Sequence, residues 1–216
     1  MIEKNRTVAA AHDFPLDNPH PRASVPAMSA ASQMLEIPEV RACISAVSVA
    51  QYHQFPEFNE SGRRTELIRG VVIEKMPKSP LHASIAKLLY DGLHASVPEG
   101  WSVRQDQPLT LRDSEPEPDI AIVTGTVRDY RASHPTTAAL VIEVAITSEN
   151  LDREKAALYA EAGVGEYWII LPVARRIEVH RQPRAGAYRE RFVVEGDAIL
   201  ACAALPSVRV ALGELF

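Results

Sequence analysis

The chain is 216 residues long, 46% hydrophobic and 24% charged, and its 23 basic against 28 acidic residues leave a formal net charge of -5. A domain typically takes about 100–200 residues, so this length and apolar fraction suit one packed domain and exclude a disordered, collagenous or coiled-coil chain. The acidic balance also excludes a surface that is basic throughout, as general binding to nucleic-acid phosphates would need, but it leaves room for a local basic patch.

Residues 1–44 carry Pro15, Pro19, Pro21, Pro26 and Pro38 among Ala, Ser and Asn, with no sustained helical or strand period. Such a stretch buries too little apolar surface to offset its ordering entropy and is expected to be a flexible extension. Met28 and Met34 near its end would equally fit a start codon assigned too far upstream. Residues 45–216 are expected to form the folded domain.

Residues 48–55 read as a short helix, and residues 68–76 as a strand with Gly70 inside it. Pro77 breaks that strand. Ser79 as N-cap and Pro80 at the first helical position then open a helix whose apolar face is marked by Leu81, Ile85, Leu88, Leu89 and Leu93 and which ends near Pro98-Glu-Gly100. Strands follow at residues 101–111, 119–123 and 139–145. The last is nearly all apolar, as a central strand covered on both faces requires. The spacing predicts a helix over residues 151–162, with Asn150 as N-cap and Gly163 closing it. A strand at residues 166–171 stops at Pro172, and short strands near residues 176–180 and 188–194 complete the order. No fixed-period repeat occurs. This succession predicts a three-layer α/β plan around a mixed sheet flanked by helices.

Cys43 and Cys202 are too few for a disulfide framework or a thiolate zinc site and read as thiols of a reducing compartment. No apolar run approaches the roughly 20 residues of a membrane span. The apolar stretch at residues 42–50 follows Glu36 and Glu39 rather than the basic segment that opens a secretory signal, so a cytoplasmic location is expected.

Three residues depart from this plan in a way that suggests chemistry. Glu143 interrupts a strand that should be buried, where an ionised carboxylate costs several kcal/mol unless it is paired or metal-bound. Asp119 ends a run of acids at positions 113, 115, 117 and 119, and alternation sets it on the side of Ala121 and Val123, opposite Ile120 and Ile122. Two carboxylates from neighbouring strands suit a hard divalent cation such as Mg2+. Lys155 stands on the stripe formed by positions 151, 155, 158 and 162, where the core face asks for an apolar residue. Buried beside carboxylates, it would keep its charge and could hold a water or a phosphate oxygen. An Asp, Glu and Lys set around a metal equips a site for attack of water on a phosphodiester.

At these residues the chain resembles the PD-(D/E)XK nuclease superfamily, and within it the Uma-type family of restriction-endonuclease-like proteins. The likeness covers about residues 48–216. It rests on Arg64-Thr-Glu-Leu-Ile-Arg-Gly70, His82, Glu117-Pro-Asp119, Leu140-Val-Ile-Glu-Val144 and the segment from Lys155 to Trp168. The superfamily's usual lysine lies two residues after the glutamate, where this chain has Ala145; members of the Uma-type family are similar in taking it from the following helix, at Lys155 here. The resemblance implies a restriction-endonuclease-like fold and an endonuclease acting on DNA with Mg2+, or Mn2+ in its place. Asp119, Glu143 and Glu66 would be metal ligands, Lys155 would position the water, and His82 and Tyr159 would support the scissile phosphate. Cleaving both strands of a duplex takes two active sites, which makes a homodimer compatible with this chemistry.

Each residue also has a plainer reading. Glu143 and Lys155 could form a structural ion pair, or Lys155 could reach solvent along its stem. Asp119 could merely start a strand, Glu66 and His82 could be solvated, and Tyr159, Tyr167 and Trp168 suit packing. The arginines at 175, 176, 181, 184, 189 and 191 could track a phosphate backbone or cover the solvated face of a hairpin. The rival from another class is a non-catalytic binding or regulatory module that keeps the fold, which Ala145 and the acidic balance favour; a hydrolase of small phosphate esters is a third. The chain has no Walker-type loop, dinucleotide fingerprint, His-Glu-x-x-His or nucleophile elbow.

Overall fold

A computed structural model describes residues 30–55 and 64–216 of the chain, which divides into two units, residues 1–44 and 45–216. In the first unit the described residues form two short helices, α1 (Ala30–Met34) and α2 (Pro38–Ala42). Met28 and the prolines at 15, 19, 21 and 26, on which the expectation of a flexible extension leans, lie outside the described residues.

The second unit begins with α3 (Val49–Tyr52), opened by a capping box in which Ser48 Oγ accepts the Gln51 N–H at 3.2 Å and Gln51 Oε1 accepts the Ser48 N–H at 2.9 Å. Next come β1 (Thr65–Ile68) and β2 (Val71–Glu74), an antiparallel pair joined at Arg69 and Gly70. This corrects the single strand expected over residues 68–76. Gly70 lies in a two-residue turn whose φ angles of 52° and 76° match the twist of a hairpin, and a Cβ on it would come within 2.6 Å of Ala46 Cβ.

Helix α4 (Pro80–Ser96) starts as expected, with Ser79 Oγ accepting the His82 N–H at 3.2 Å and Pro80 in the first turn. Its buried face is Ile85, Ala86, Leu89 and Leu93; Leu81 and Leu88, expected on that face, are about half exposed. The stripe is therefore rotated, and the rotation turns His82 inward rather than Leu81. Strand β3 (Trp101–Gln105) is shorter than the expected 101–111, because Asp106 adopts a left-handed φ of 52° that ends pleating.

β4 (Ile120–Thr124) and β5 (Leu140–Val144) match their expected positions. α5 (Glu149–Glu161) starts two residues earlier than Asn150 as N-cap predicts, after Ser148, and ends before Gly163 with φ 71°. β6 (Glu166–Leu171) follows, then the hairpin of β7 (Arg176–Arg184) and β8 (Ala187–Glu195). β9 (Ile199–Ala201), β10 (Arg209–Ala211) and α6 (Leu212–Leu215), which no pattern signalled, add a small antiparallel pair and a last turn.

Among the described residues, β3-β4-β5-β6-β7-β8 form one six-stranded mixed sheet, antiparallel throughout except for the parallel pair β5 and β6. A parallel pair needs a long crossover, and α5 supplies it. Strand alternation sorts the core into two. Ile120, Ile122, Leu140, Ile142 and Trp168 pack under Ile85, Leu89 and Leu93 of α4. On the opposite face Ala121, Val123, Val141, Tyr167 and Ile169 pack under Ala156, Leu158 and Tyr159 of α5. Helix, sheet and helix thus make the expected three layers. The α5 face is also the side to which parity assigns Asp119 and Glu143.

Candidate active site

A cleft of about 370 Å³ opens between the coil that follows β2 and the loop that joins β5 to α5. Glu66, Asp119, Glu143, Asp152, Lys155, Lys75, Lys78 and His82 all line it, so five separate stretches of chain contribute titratable groups to one place. Antiparallel pairing of β4 and β5 sets Asp119 beside Glu143: the Asp119 N–H donates to Glu143 Oε2 at 3.3 Å, and the Val144 N–H donates to Asp119 Oδ2 at 2.8 Å. β1 delivers Glu66, whose Oε1 accepts the Glu117 N–H at 2.9 Å.

The amine of Lys155 reaches in from α5. Its Nζ lies 3.0 Å from Glu143 Oε1, 3.0 Å from Glu66 Oε2 and 3.5 Å from Asp152 Oδ1, with 5% of the side chain exposed. The cation therefore arrives from the helix, while Ala145, two residues after Glu143, is buried in the apolar core on that face. Tyr159, one turn along α5 and fully buried, donates to Glu143 Oε1 at 3.3 Å. His82 Nε2 lies 3.0 Å from Asp119 Oδ2. The structure thus brings Glu66, His82, Asp119, Glu143, Lys155 and Tyr159 together. Tyr159 also packs on Tyr167 at 4.8 Å between ring centres, and Trp168 is wholly buried, so the packing reading holds for those rings.

Burial opposes the charge on Lys155, but Glu143, Glu66 and Asp152 outweigh it and hold the lysine well above its ordinary pKa. The reverse holds at Glu143: burial is the largest influence, Lys155 opposes it, and Asp152, Asp119 and Glu66 reinforce it, so its pKa is pushed up to about 8. At Asp119 burial is overcome by the His82 hydrogen bond and the charges of His82 and Lys78, which hold it well below the usual carboxylate range. Lys155 and Lys75 likewise overcome burial at Glu66 and lower it. The cluster is short of positive charge, and Glu143 bears the shortage.

Sequence reasoning missed Lys75, Lys78 and Asp152. Lys75 Nζ is 3.2 Å from Glu66 Oε1, and Lys78 Nζ is 2.9 Å from Asp119 Oδ1 and 2.5 Å from Asp106 Oδ1. Asp152 had a legible signal: it precedes Lys155 by three residues and so shares its helix face. The other acids of the 113–119 run stay outside the cleft, although Glu117 Oε2 also lies 3.4 Å from Lys75 Nζ. Asp113 meets Arg69 and Arg112, Glu115 meets His53 at 2.7 Å, and Glu117 meets Arg64 at 2.7 Å. Of the arginines on β7 and β8, Arg176 faces Glu178, and Arg181 pairs with buried Glu166 at 2.8 Å and lies over Phe192, which makes Arg181 structural rather than a phosphate contact.

Among the described residues no three acidic, His or Cys groups converge as a ready-made metal cage. The carboxylate oxygens are turned toward Lys75, Lys78, Lys155, His82 and Tyr159. Asp119, Glu143 and Glu66 offer oxygen atoms alone, the donor type that hard divalent cations take. No helix among the described residues is long and apolar enough to cross a membrane, and Cys43 and Cys202 are free thiols.

No curated protein matches the chain. Among solved structures it is similar to a "putative nuclease belonging to DUF820" from Anabaena variabilis, with 18% identity and a TM-score of 0.68 over 79% of this chain and 97% of that one. At that identity the likeness establishes the restriction-endonuclease-like fold. The family model Uma2, described as "Putative restriction endonuclease", matches residues 49–213, which is most of the chain and all of the cleft. The chain belongs to the Uma2 family.

Proposed function

We propose that the chain is a Mg2+-dependent endonuclease that hydrolyses phosphodiester bonds of DNA, with Asp119 and Glu143 as metal ligands, Glu66 completing the shell and Lys155 positioning the attacking water. The observation that carries this reading is the place of the Lys155 amine, 3.0 Å from both Glu143 and Glu66 on the floor of an open cleft. Membership in a family described as "Putative restriction endonuclease" supports DNA as the substrate. Mn2+ suits the same oxygen donors.

When bound, the cation would polarise the phosphate and lower the pKa of a water in its shell. The remaining work falls to the chain's own groups. Lys155 has three N–H donors; two face Glu143 and Glu66 at 3.0 Å, and the third, whose partner Asp152 Oδ1 is the most distant at 3.5 Å, is the one that would turn to a water or phosphate oxygen. Because its charge is fixed by the surrounding acids before substrate arrives, no reorganisation is needed to stabilise the negative charge that develops. Tyr159 holds the orientation of the Glu143 carboxylate, and His82 that of Asp119.

One observation favours the binding module instead: each carboxylate already has a cationic or hydrogen-bonding partner, as a structural network would. Incubating the purified chain with single-stranded and duplex DNA in Mg2+ separates the two. Strand scission that EDTA abolishes is expected; no scission of either DNA in Mg2+ or Mn2+ would favour the module.

A further inference from the structure

Lys78 belongs to the coil between β2 and α4 and lines the same cleft. It bridges two acids, with Nζ 2.9 Å from Asp119 Oδ1 and 2.5 Å from Asp106 Oδ1. Asp119 Oδ2 is occupied on its own side by His82 at 3.0 Å and by the Val144 N–H at 2.8 Å. The Val144 N–H cannot withdraw without moving β5, and the His82 ring, 14% exposed, has little room to swing away. Lys78 can: its backbone is fixed between Pro77 and Ser79-Pro80, but its side chain is a flexible four-carbon stem, 26% exposed against 7% for Asp119. A cation that takes Asp119 Oδ1 therefore meets the charge of the Lys78 ammonium 2.9 Å from that oxygen, and the two repel.

Asp106 gives that ammonium somewhere to stay. It ends β3 in the left-handed region at φ 52°, an unfavourable conformation for a residue with a side chain, and its N–H bonds the Asp119 carbonyl at 3.3 Å. The strain sets a second carboxylate beside Asp119, outside the trio of Asp119, Glu143 and Glu66. In this position Asp119 and Asp106 together outweigh burial and keep Lys78 charged.

We propose that Lys78 is a mobile catalytic cation. In the metal-free protein it neutralises Asp119; when a divalent ion and DNA enter, it leaves Asp119, stays within reach of Asp106, and contacts the scissile phosphate. This role rests on the nuclease reading above and adds a residue to it. It also makes Lys78 a competitor of the metal, which a fixed structural bridge is not.

The test is Lys78→Met in the full chain, which keeps the stem and removes the charge, read by Mn2+ titration calorimetry and by DNA cleavage at saturating Mn2+. Mn2+ should bind roughly tenfold tighter than to wild type, because its competitor is gone. Cleavage should nevertheless slow roughly a hundredfold, the usual loss for one donor to a developing charge. Lys78→Arg should recover part of the rate. Lys78→Gln, checked by thermal unfolding, serves if the Met variant does not fold. Metal binding that is unchanged or weaker would make Lys78 a structural bridge, and tighter binding with an undiminished rate would make it a bystander charge; either overturns the role while leaving the nuclease reading intact. A wild-type chain that takes up no Mn2+ and cuts no DNA overturns both.

Discussion

Glu143→Gln should stabilise the metal-free protein while removing its activity. The carboxyl is buried in β5, and burial, opposed by Lys155 and reinforced by neighbouring acids, lifts its pKa from 4.5 to about 8. Between those values the unfolded chain has released a proton that the folded chain still holds. Stability from the neutral carboxyl is thus full below pH 4.5 and is lost as pH rises toward 8, at about 1.4 kcal/mol per pH unit. By pH 7 the wild type has forgone about 3 kcal/mol in this way. Gln does not titrate, so it escapes that loss, and Lys155 keeps Glu66 and Asp152 as partners. Part of the gain is offset, since the Gln amide nitrogen, unlike either oxygen of the carboxyl, cannot accept from the Asp119 N–H or Lys155. The net expectation is a stabilisation of about 2 kcal/mol at pH 7, or a Tm higher by about 4–8 °C for a chain of this size. Thermal unfolding in EDTA from pH 5 to 8.5 reads it directly. The Tm difference should grow with pH; a difference that is flat across the range, or a variant less stable than wild type at pH 7.5, would refute the reasoning.

Lys155→Met should do the opposite. It strips Glu143, Glu66 and Asp152 of their shared cation, and removal of one member of a buried ion pair costs about 3–5 kcal/mol. Urea unfolding at pH 7 measures this, and a loss under about 1 kcal/mol would mean that the amine is not held among the acids. Mg2+ affinity should rise with pH up to about 8 and level off above it, because Glu143 must shed its proton to become a ligand. Calorimetry in two buffers of different ionisation enthalpy should show that proton leaving at pH 7, and a pH-independent affinity would remove Glu143 from the metal shell.

The central sheet and its two carboxylates were legible because strand alternation is a strict period of 2. An acid in an apolar run must then face one side of the sheet, and the neighbouring strand's parity decides whether another acid meets it. Asp119 and Glu143 satisfy both conditions. Lys155 was legible as an interruption of a helical stripe, and Ser79-Pro80 as a helix start. Lys78 and Asp106 carry no such mark: one lies in a coil and the other just past a strand end, where no period operates, and they meet only through tertiary packing. Gly70 was misread because a hairpin turn with Val71, Val72 and Ile73 beyond it looks, residue by residue, like one continuous apolar strand. The small β9-β10 pair escaped because three-residue strands are too short to show alternation.

The most direct test of the central claim is the Mg2+-dependent rate of DNA strand scission by wild type and Glu143→Gln, prepared and assayed side by side. The wild type should cut in Mg2+ and not in EDTA, and the variant, although folded and the more stable of the two, should not cut at all. A Gln variant that cleaves DNA at the wild-type rate in Mg2+ would contradict the assignment of this cleft as the site of phosphodiester hydrolysis.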